Sequence, residues 1–289
     1  MQMPAREFHI EITQTDCSAP NTLAEASGLS IGLIKQAMQK GAVWLDDGQS
    51  TRRLRRAKKA LAVGSKLHFY YNPEVLESNI PAPTLLADEG DYSIWIKPRG
   101  VLSQGSKWGD HCTITRWVES NDDKQRPAFL IHRLDRAATG LMVIGHSKKV
   151  TQAFAAKFAK KEIQKIYHAL VMGQFSDTAK PITYDSKIDG REAVSHAKLI
   201  EYAASSNQSL VEVNIETGRK HQVRKHLSEA GFPILGDRLY GGGDSVDLQL
   251  AAVSLSFNCP CRGWVKTFEL PEASRPQLNP SKVIKEALS

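Results

Sequence analysis

The chain has 289 residues, 41% of them hydrophobic and 24% charged, enough apolar material for a core that needs no disulfide or metal to fold. Its net charge of +7 and pI near 9.2 suit a polyanionic partner, because cations that meet phosphates release condensed counterions; a generally soluble basic protein has the same balance. The four cysteines, Cys17, Cys112, Cys259 and Cys261, lack a second Cys or His pair at zinc-ligand spacing, which predicts structural thiols in a reducing compartment and no metal. The first 17 residues lack the apolar run of a signal peptide, and no stretch approaches the roughly 18 apolar residues of a membrane span. A cytoplasmic protein is expected.

In chain order, Phe8, Ile10 and Ile12 alternate with polar residues as in a half-buried strand. From Asn21 the pattern turns helical, with Ile31, Ile34 and Met38 on one face and Gly41 as the stop. Ala42–Leu45 reads as a strand with Asp46-Asp47-Gly48 as its turn, and Val63–Tyr71 as a further turn and strand. Between them Arg52, Arg53, Arg55, Arg56, Lys58 and Lys59 crowd into eight positions. A charge run of this kind is either a solvated face or a phosphate contact. The unit, taken over residues 1–75, resembles an S4-like RNA-binding module across about residues 20–72, and that resemblance favours phosphate contact for Arg52, Arg53, Arg55 and Arg56.

A Pro-rich polar linker runs from Asn72-Pro73 through Pro81-Ala82-Pro83. A second domain is expected over 84–275, with strands at 92–97, 128–131, 140–145, 165–173, 193–202, 209–216 and 249–257. Helices are expected at 113–120, 148–161 and 219–230. Val150, Phe154 and Phe158 make a core-facing stripe on the middle helix. The remainder, 276–289, reads as a polar tail. Strands mixed with helices predict an α+β fold.

Two segments concentrate charge. In Phe129-Leu130-Ile131-His132-Arg133-Leu134-Asp135-Arg136-Ala137-Ala138-Thr139-Gly140-Leu141 a strand enters, a charged turn interrupts and an apolar strand leaves. Arginines flank one aspartate, which favours the charged carboxylate; a loop ion-pair network would look the same. In Gly218-Arg219-Lys220-His221-Gln222-Val223-Arg224-Lys225 several cations crowd a helix start, where free amides and the helix dipole attract a phosphate or a buried carboxylate; an amphipathic helix with a basic face is the plainer alternative. Phe232–Gly241 reads as a fixed structural turn, and Tyr167 by itself as a core aromatic.

His132-Arg133-Leu134-Asp135-Arg136 with Gly140-Leu141 resembles the active-site motif of RluA-type pseudouridine synthases. Lys97-Pro98-x-Gly100, Lys165-x-Tyr167, Gly218-Arg219-x-His221-Gln222-x-Arg224 and Gly236-Asp237-x-x-Tyr240-Gly241 match as well, in family order. Ala137-Ala138 and Lys220 depart from the usual pattern beside the motif. The resemblance implies a mixed, mostly antiparallel sheet with flanking helices and a central cleft, and an isomerase acting on uridines of ribosomal or transfer RNA without a cofactor. It implies Asp135 as the catalytic carboxylate, Arg224 as its partner and Tyr167 against the target base. His132, Arg133, Arg136, Arg219 and Lys220 are then expected to meet RNA, with Arg133 filling the place of a flipped-out nucleotide. A monomer is the default. A non-catalytic RNA-binding protein is the competing reading, and Asp135 separates the two, since binding alone needs no acid in a cationic cleft.

Overall fold

The computed structural model describes residues 4–243 and 245–278, so residues 279–289 of the expected tail lie outside it. The chain divides into two compact units. The first takes the residues up to 80 together with 104–121, and the second takes 81–103 and everything from 122 onward. Residues 104–121, which fall by sequence inside the expected second domain, thus group with the first unit.

The first unit holds β1 (Arg6–Glu11), α1 (Ala19–Ser27), α2 (Ile31–Gln39), β2 (Val43–Asp46), β3 (Thr51–Arg53), β4 (Lys66–Tyr71), α3 (Pro73–Glu77) and, later in the chain, α4 (Ile114–Asn121). Its sheet runs β1-β4-β2-β3, every pairing antiparallel. The helical stretch expected from Asn21 to Gly41 is two helices. Gly28 ends α1 in the left-handed region, at φ 71°, and the Ser30 hydroxyl accepts from Leu33 N at 3.3 Å to start α2. Ile34 and Met38 are buried with Leu23, Leu67 and Phe69, whereas Ile31, expected on the same face, is 42% exposed. The linker contains α3, capped by Asn72.

The second unit contains β5 (Thr84–Asp88), β6 (Tyr92–Lys97), β7 (Phe129–Leu130), β8 (Thr139–Gly145), α5 (Lys148–Ala159), β9 (Ile163–Met172), β10 (Ile182–Tyr184), β11 (Ser195–Ala203), β12 (Gln208–Ile215), α6 (Gln222–Glu229), β13 (Leu250–Asn258) and β14 (Val265–Glu269). Their sheet follows the order β10-β11-β12-β9-β13-β8-β6-β5, with β14 added to β13 and β7 to β8. The pairings are antiparallel apart from the seam between β13 and β8, where Ala251 and Ala252 face Thr139 and Gly140. This is the α+β architecture, with a mixed and mostly antiparallel sheet, that the sequence implies. Tyr92, Phe154 and Phe257 form the centre of its core, Phe154 standing 5.0 Å from each of the other two rings.

Gly140 is placed by the seam. At φ 115° it lies where side chains are strained, and a Cβ there would stand 2.3 Å from Ala252 O and 2.5 Å from Ala252 N. The two backbones meet only because the residue has no side chain. This close approach anchors the end of the loop that carries Asp135.

Candidate active site

The loop between β7 and β8 is pinned to neighbouring backbone on both sides of Asp135. Ser103 Oγ donates to Leu134 O at 2.6 Å and accepts from Leu134 N at 3.0 Å, while Gly100 N donates to Arg136 O at 2.8 Å. Fully buried Lys97 spreads its ammonium over three carbonyls, those of Pro98 (3.1 Å), Val101 (3.0 Å) and Ala138 (2.7 Å). Burial pushes Lys97 down to about 7, against the pull of the Asp135 charge. A rigid loop of this kind fixes a carboxylate without touching it.

Asp135 itself keeps 23% of its side chain open. Arg224, on the first turn of α6 and only 6% exposed, donates from Nη1 to Asp135 Oδ2 at 3.3 Å. Its other face grips Asp237, with Nε to Oδ2 and Nη2 to Oδ1 both at 2.7 Å. Asp237 is wholly buried and also accepts from the amides of Leu239 and Tyr240. Burial opposes the charge on both partners. The paired hydrogen bonds outweigh it, holding the Asp237 carboxyl below the usual carboxylate range and the Arg224 guanidinium above its ordinary value. The Tyr240 ring closes over Arg224, its centroid 5.1 Å from the guanidinium carbon.

His221 precedes α6 in a left-handed conformation, φ 58° and ψ 24°, unusual for a residue with a side chain. The helix expected over 219–230 therefore begins at Gln222. Nδ1 of His221 pairs with the Tyr240 hydroxyl at 2.9 Å, and Nε2 lies 3.9 Å from Asp135 Oδ1. Burial, opposed by Asp135, lowers its basicity and favours the neutral ring. Backbone strain of this sort persists where surrounding contacts over-determine it.

Tyr167 on β9 is 8% exposed, and burial followed by the Asp135 charge pushes its hydroxyl upward, so it stays protonated. It lines two adjoining cavities. One, of about 60 Å³, holds Asp135, His221, Arg224 and Leu134. The other, of about 460 Å³, holds Lys165, Phe158, Thr217 and His132; Arg133, Tyr167, Ile215, Gly218 and Arg219 border both. A third space, about 530 Å³, opens on the far side of Asp135, His221 and Arg224. Asp135 thus borders a small pocket and a larger space, and its pocket shares a wall with the cavity around Lys165.

The structure brings together Asp135, Tyr167, Arg224, Arg133 and Arg219. Arg133, Arg136 and Lys220 are exposed, and Arg219 Nε donates to Glu192 O at 2.8 Å. His132, expected among the RNA contacts, borders the larger cavity with one ring nitrogen engaged by backbone. Its Nε2 accepts from Val143 N at 3.0 Å, its ring packs 5.0 Å from Phe158, and burial with the nearby Lys165 charge pushes it down to about 3. With Nε2 accepting, the neutral ring carries its proton on Nδ1 and brings no positive charge to the cavity it borders.

The four arginines of the basic run belong to the first unit and divide in two. Arg53 and Arg55 turn onto Asp110 at 3.2 and 2.5 Å, and Arg53 lies 4.2 Å over the Trp44 ring. Arg52 and Arg56 are exposed, Arg52 beside Asp47.

Asp237, His221, Lys97 and Lys165 are site residues that the reading of single segments passed over. Each stands in one of the strings that carried the resemblance, which was their only signal.

Residues 91–229 match a family model described as RNA pseudouridylate synthase. Over 123 residues the chain is 37% identical to an uncharacterized RNA pseudouridine synthase of Chloroflexus aurantiacus, covering 39% of this chain and 38% of that one. It is 31% identical over 191 residues to the ribosomal large subunit pseudouridine synthase D of Borreliella burgdorferi, covering 58% and 57%. These matches span less than two thirds of either relative's length. In fold it resembles the solved structure of human RNA Pseudouridylate Synthase Domain Containing 1, with a TM-score of 0.56 and 16% identity over 72% of this chain and 95% of that one.

Proposed function

We propose that this chain, whose residues 91–229 match the RNA pseudouridylate synthase family, is a member of it and isomerises uridines in structured RNA, ribosomal or transfer, to pseudouridine. The reaction breaks the N1–C1′ bond, turns the uracil, joins C5 to C1′ and moves the C5 proton away while N1 gains one. Atoms and electrons balance without a redox partner or an energy source.

Asp135 is the carboxylate for C1′, attacking it or stabilising the cationic sugar as the glycosidic bond opens. The observation that carries this reading is its position: half-open in the cleft and held at 3.3 Å by an arginine that Asp237 already fixes from behind. Arg224 keeps the carboxylate charged and aimed, and the low dielectric of the cleft strengthens their attraction. The Tyr167 ring packs against the target base, with its protonated hydroxyl near the proton that leaves C5.

A stacked or paired uridine has to swing out of its helix, at a cost of a few kcal/mol. Exposed Arg133, beside the carboxylate, fills the vacated place, and Arg136, Arg219 and Lys220 meet the surrounding backbone. Residues 1–75 serve as an S4-like module that docks on the RNA through outward cations. Among the described residues no helix is long and apolar enough to cross a membrane.

Pseudouridine mapping of total RNA, from cells with and without this chain, tests the assignment. At least one site disappears on deletion and returns with the wild-type chain, whereas Asp135→Asn binds RNA without restoring it. Restoration by Asp135→Asn would overturn the proposal.

A further inference from the structure

The larger cavity beside the Asp135 pocket contains a charge that the chemistry at Asp135 does not use. Lys165 lies two residues before Tyr167 on β9, so strand periodicity turns both side chains to the same face. It is 8% exposed and lines the cavity. Among the described residues no carboxylate or carbonyl takes a hydrogen bond from its Nζ, which lies 5.3 Å from the centre of the Phe158 ring. Burying an unpaired ammonium is unfavourable unless a counter-charge arrives.

We infer that this cavity is a phosphate subsite, in which Lys165 holds the backbone phosphodiester next to the flipped uridine. The inference rests on the RNA substrate proposed above. Gly218 borders the cavity beside the ammonium, and a Cβ there would come into ordinary van der Waals contact with Nζ, at 3.7 Å. Arg133 and Arg219 border the same space and add positive potential. Its one carboxylate, Glu216, is already engaged by Lys161 at 3.4 Å and His196 at 2.8 Å. A lysine is a point charge suited to a tetrahedral anion, and the Phe158 wall lowers the local dielectric in which the two would meet. A nucleotide that swings its base into the site brings such an anion with it on its ribose.

Binding, not turnover, tests the subsite. Affinity for fluorescent decauridylate is measured across a salt series for the wild type, Lys165→Met and Lys165→Gln. Uridine and uridine 5′- and 3′-monophosphate serve as competitors. Both variants lower the magnitude of the log K against log salt slope by about 0.7, the share of one single-strand phosphate. The wild type prefers one monophosphate over uridine by about tenfold or more, and the variants lack that preference. Their melting temperatures equal or exceed the wild type's, because the buried charge is gone; a merely structural lysine would lower them. Unchanged salt slopes together with an unchanged monophosphate preference would overturn the subsite. A wild-type chain that shows the charge-dependent binding yet forms no pseudouridine would refute the activity and leave the subsite standing.

Discussion

Arg224 holds Asp237 more tightly than it holds Asp135, through two hydrogen bonds of 2.7 Å against one of 3.3 Å. The buried pair is the fixed element, and the contact with the open carboxylate is the adjustable one. Without Asp237, Arg224 would be a buried cation whose only carboxylate partner among the described residues is Asp135, the group that is to face the substrate.

Asp237→Asn is therefore expected to cost about 3–5 kcal/mol of stability, the usual penalty for stranding a buried charge. It should also reduce pseudouridine formation at least tenfold at temperatures where the variant remains folded. Asp135→Asn, at a half-open position, should melt close to the wild type. Thermal melts and single-turnover assays on both variants check the contrast, and equal melting temperatures for the two would contradict it.

Gly140→Ala places a methyl group against backbone atoms of Ala252 that cannot rotate away, at a φ already unfavourable for alanine. Overpacking and backbone strain together are expected to cost about 3 kcal/mol or more. The Asp135 loop is anchored by this residue, so turnover should fall with stability. Denaturant unfolding and pseudouridine assays read both; a change below about 1 kcal/mol would show that the seam yields.

The basic run of the first unit separates by partner. Arg53→Ala or Arg55→Ala strips Asp110 of a close cation and is expected to lower stability by about 1.5–3 kcal/mol. Arg52→Ala with Arg56→Ala should leave the melting temperature nearly unchanged and reduce the salt slope of RNA binding, by about 0.9 for each duplex phosphate no longer neutralised. Filter binding across a salt series, beside thermal melts, distinguishes the two pairs.

Lys165 gives stability a dependence on pH. Burial pushes it down to about 8 from its ordinary 10.5. Below about pH 8 folded and unfolded chains both carry the proton, and the full cost of burying it is present. Between about 8 and 10.5 the folded chain has released the proton while the unfolded chain keeps it, so stability rises with pH. The gain approaches about 3 kcal/mol by the upper end. Lys97, lowered to about 7, adds a rise of the same sign. The difference between wild type and Lys165→Met, measured by denaturant unfolding from pH 7 to 10.5, isolates the Lys165 share; an identical pH dependence in both would exclude it.

What the sequence made legible follows physical range. The strands β6, β8, β9 and β13 are apolar runs long enough to read from their own residues, and α5 announces itself through Val150 and Phe154. The division of α1 from α2 escaped because Ile31, Ile34 and Met38 keep helical spacing after the break, although Gly28 and Ser30 are ordinary cap residues. β10 and β14 are short, and β14 alternates only between exposed and half-buried positions, so neither carries a hydrophobic signal. In the site, Asp135 and Arg224 stood out because charges crowd their own segments. Asp237 did not, since the arginine that explains it sits on another element, and the turn around it looks structural in isolation. The surroundings of His132 were hidden for a related reason: its sequence neighbours are cations, while Val143 and Phe158, which it contacts, come from β8 and α5.

The parallel seam also sets an order of events during synthesis. Thr139 and Gly140 need Ala251 and Ala252 beside them, and contacts so distant along the chain form late and slowly. A growing polypeptide that has made the aspartate loop but not yet β13 has Lys97, Gly100 and Ser103 to hold it, and lacks only the strand on its other side. The loop that carries Asp135 thus has its full set of neighbours only once β13 is in place.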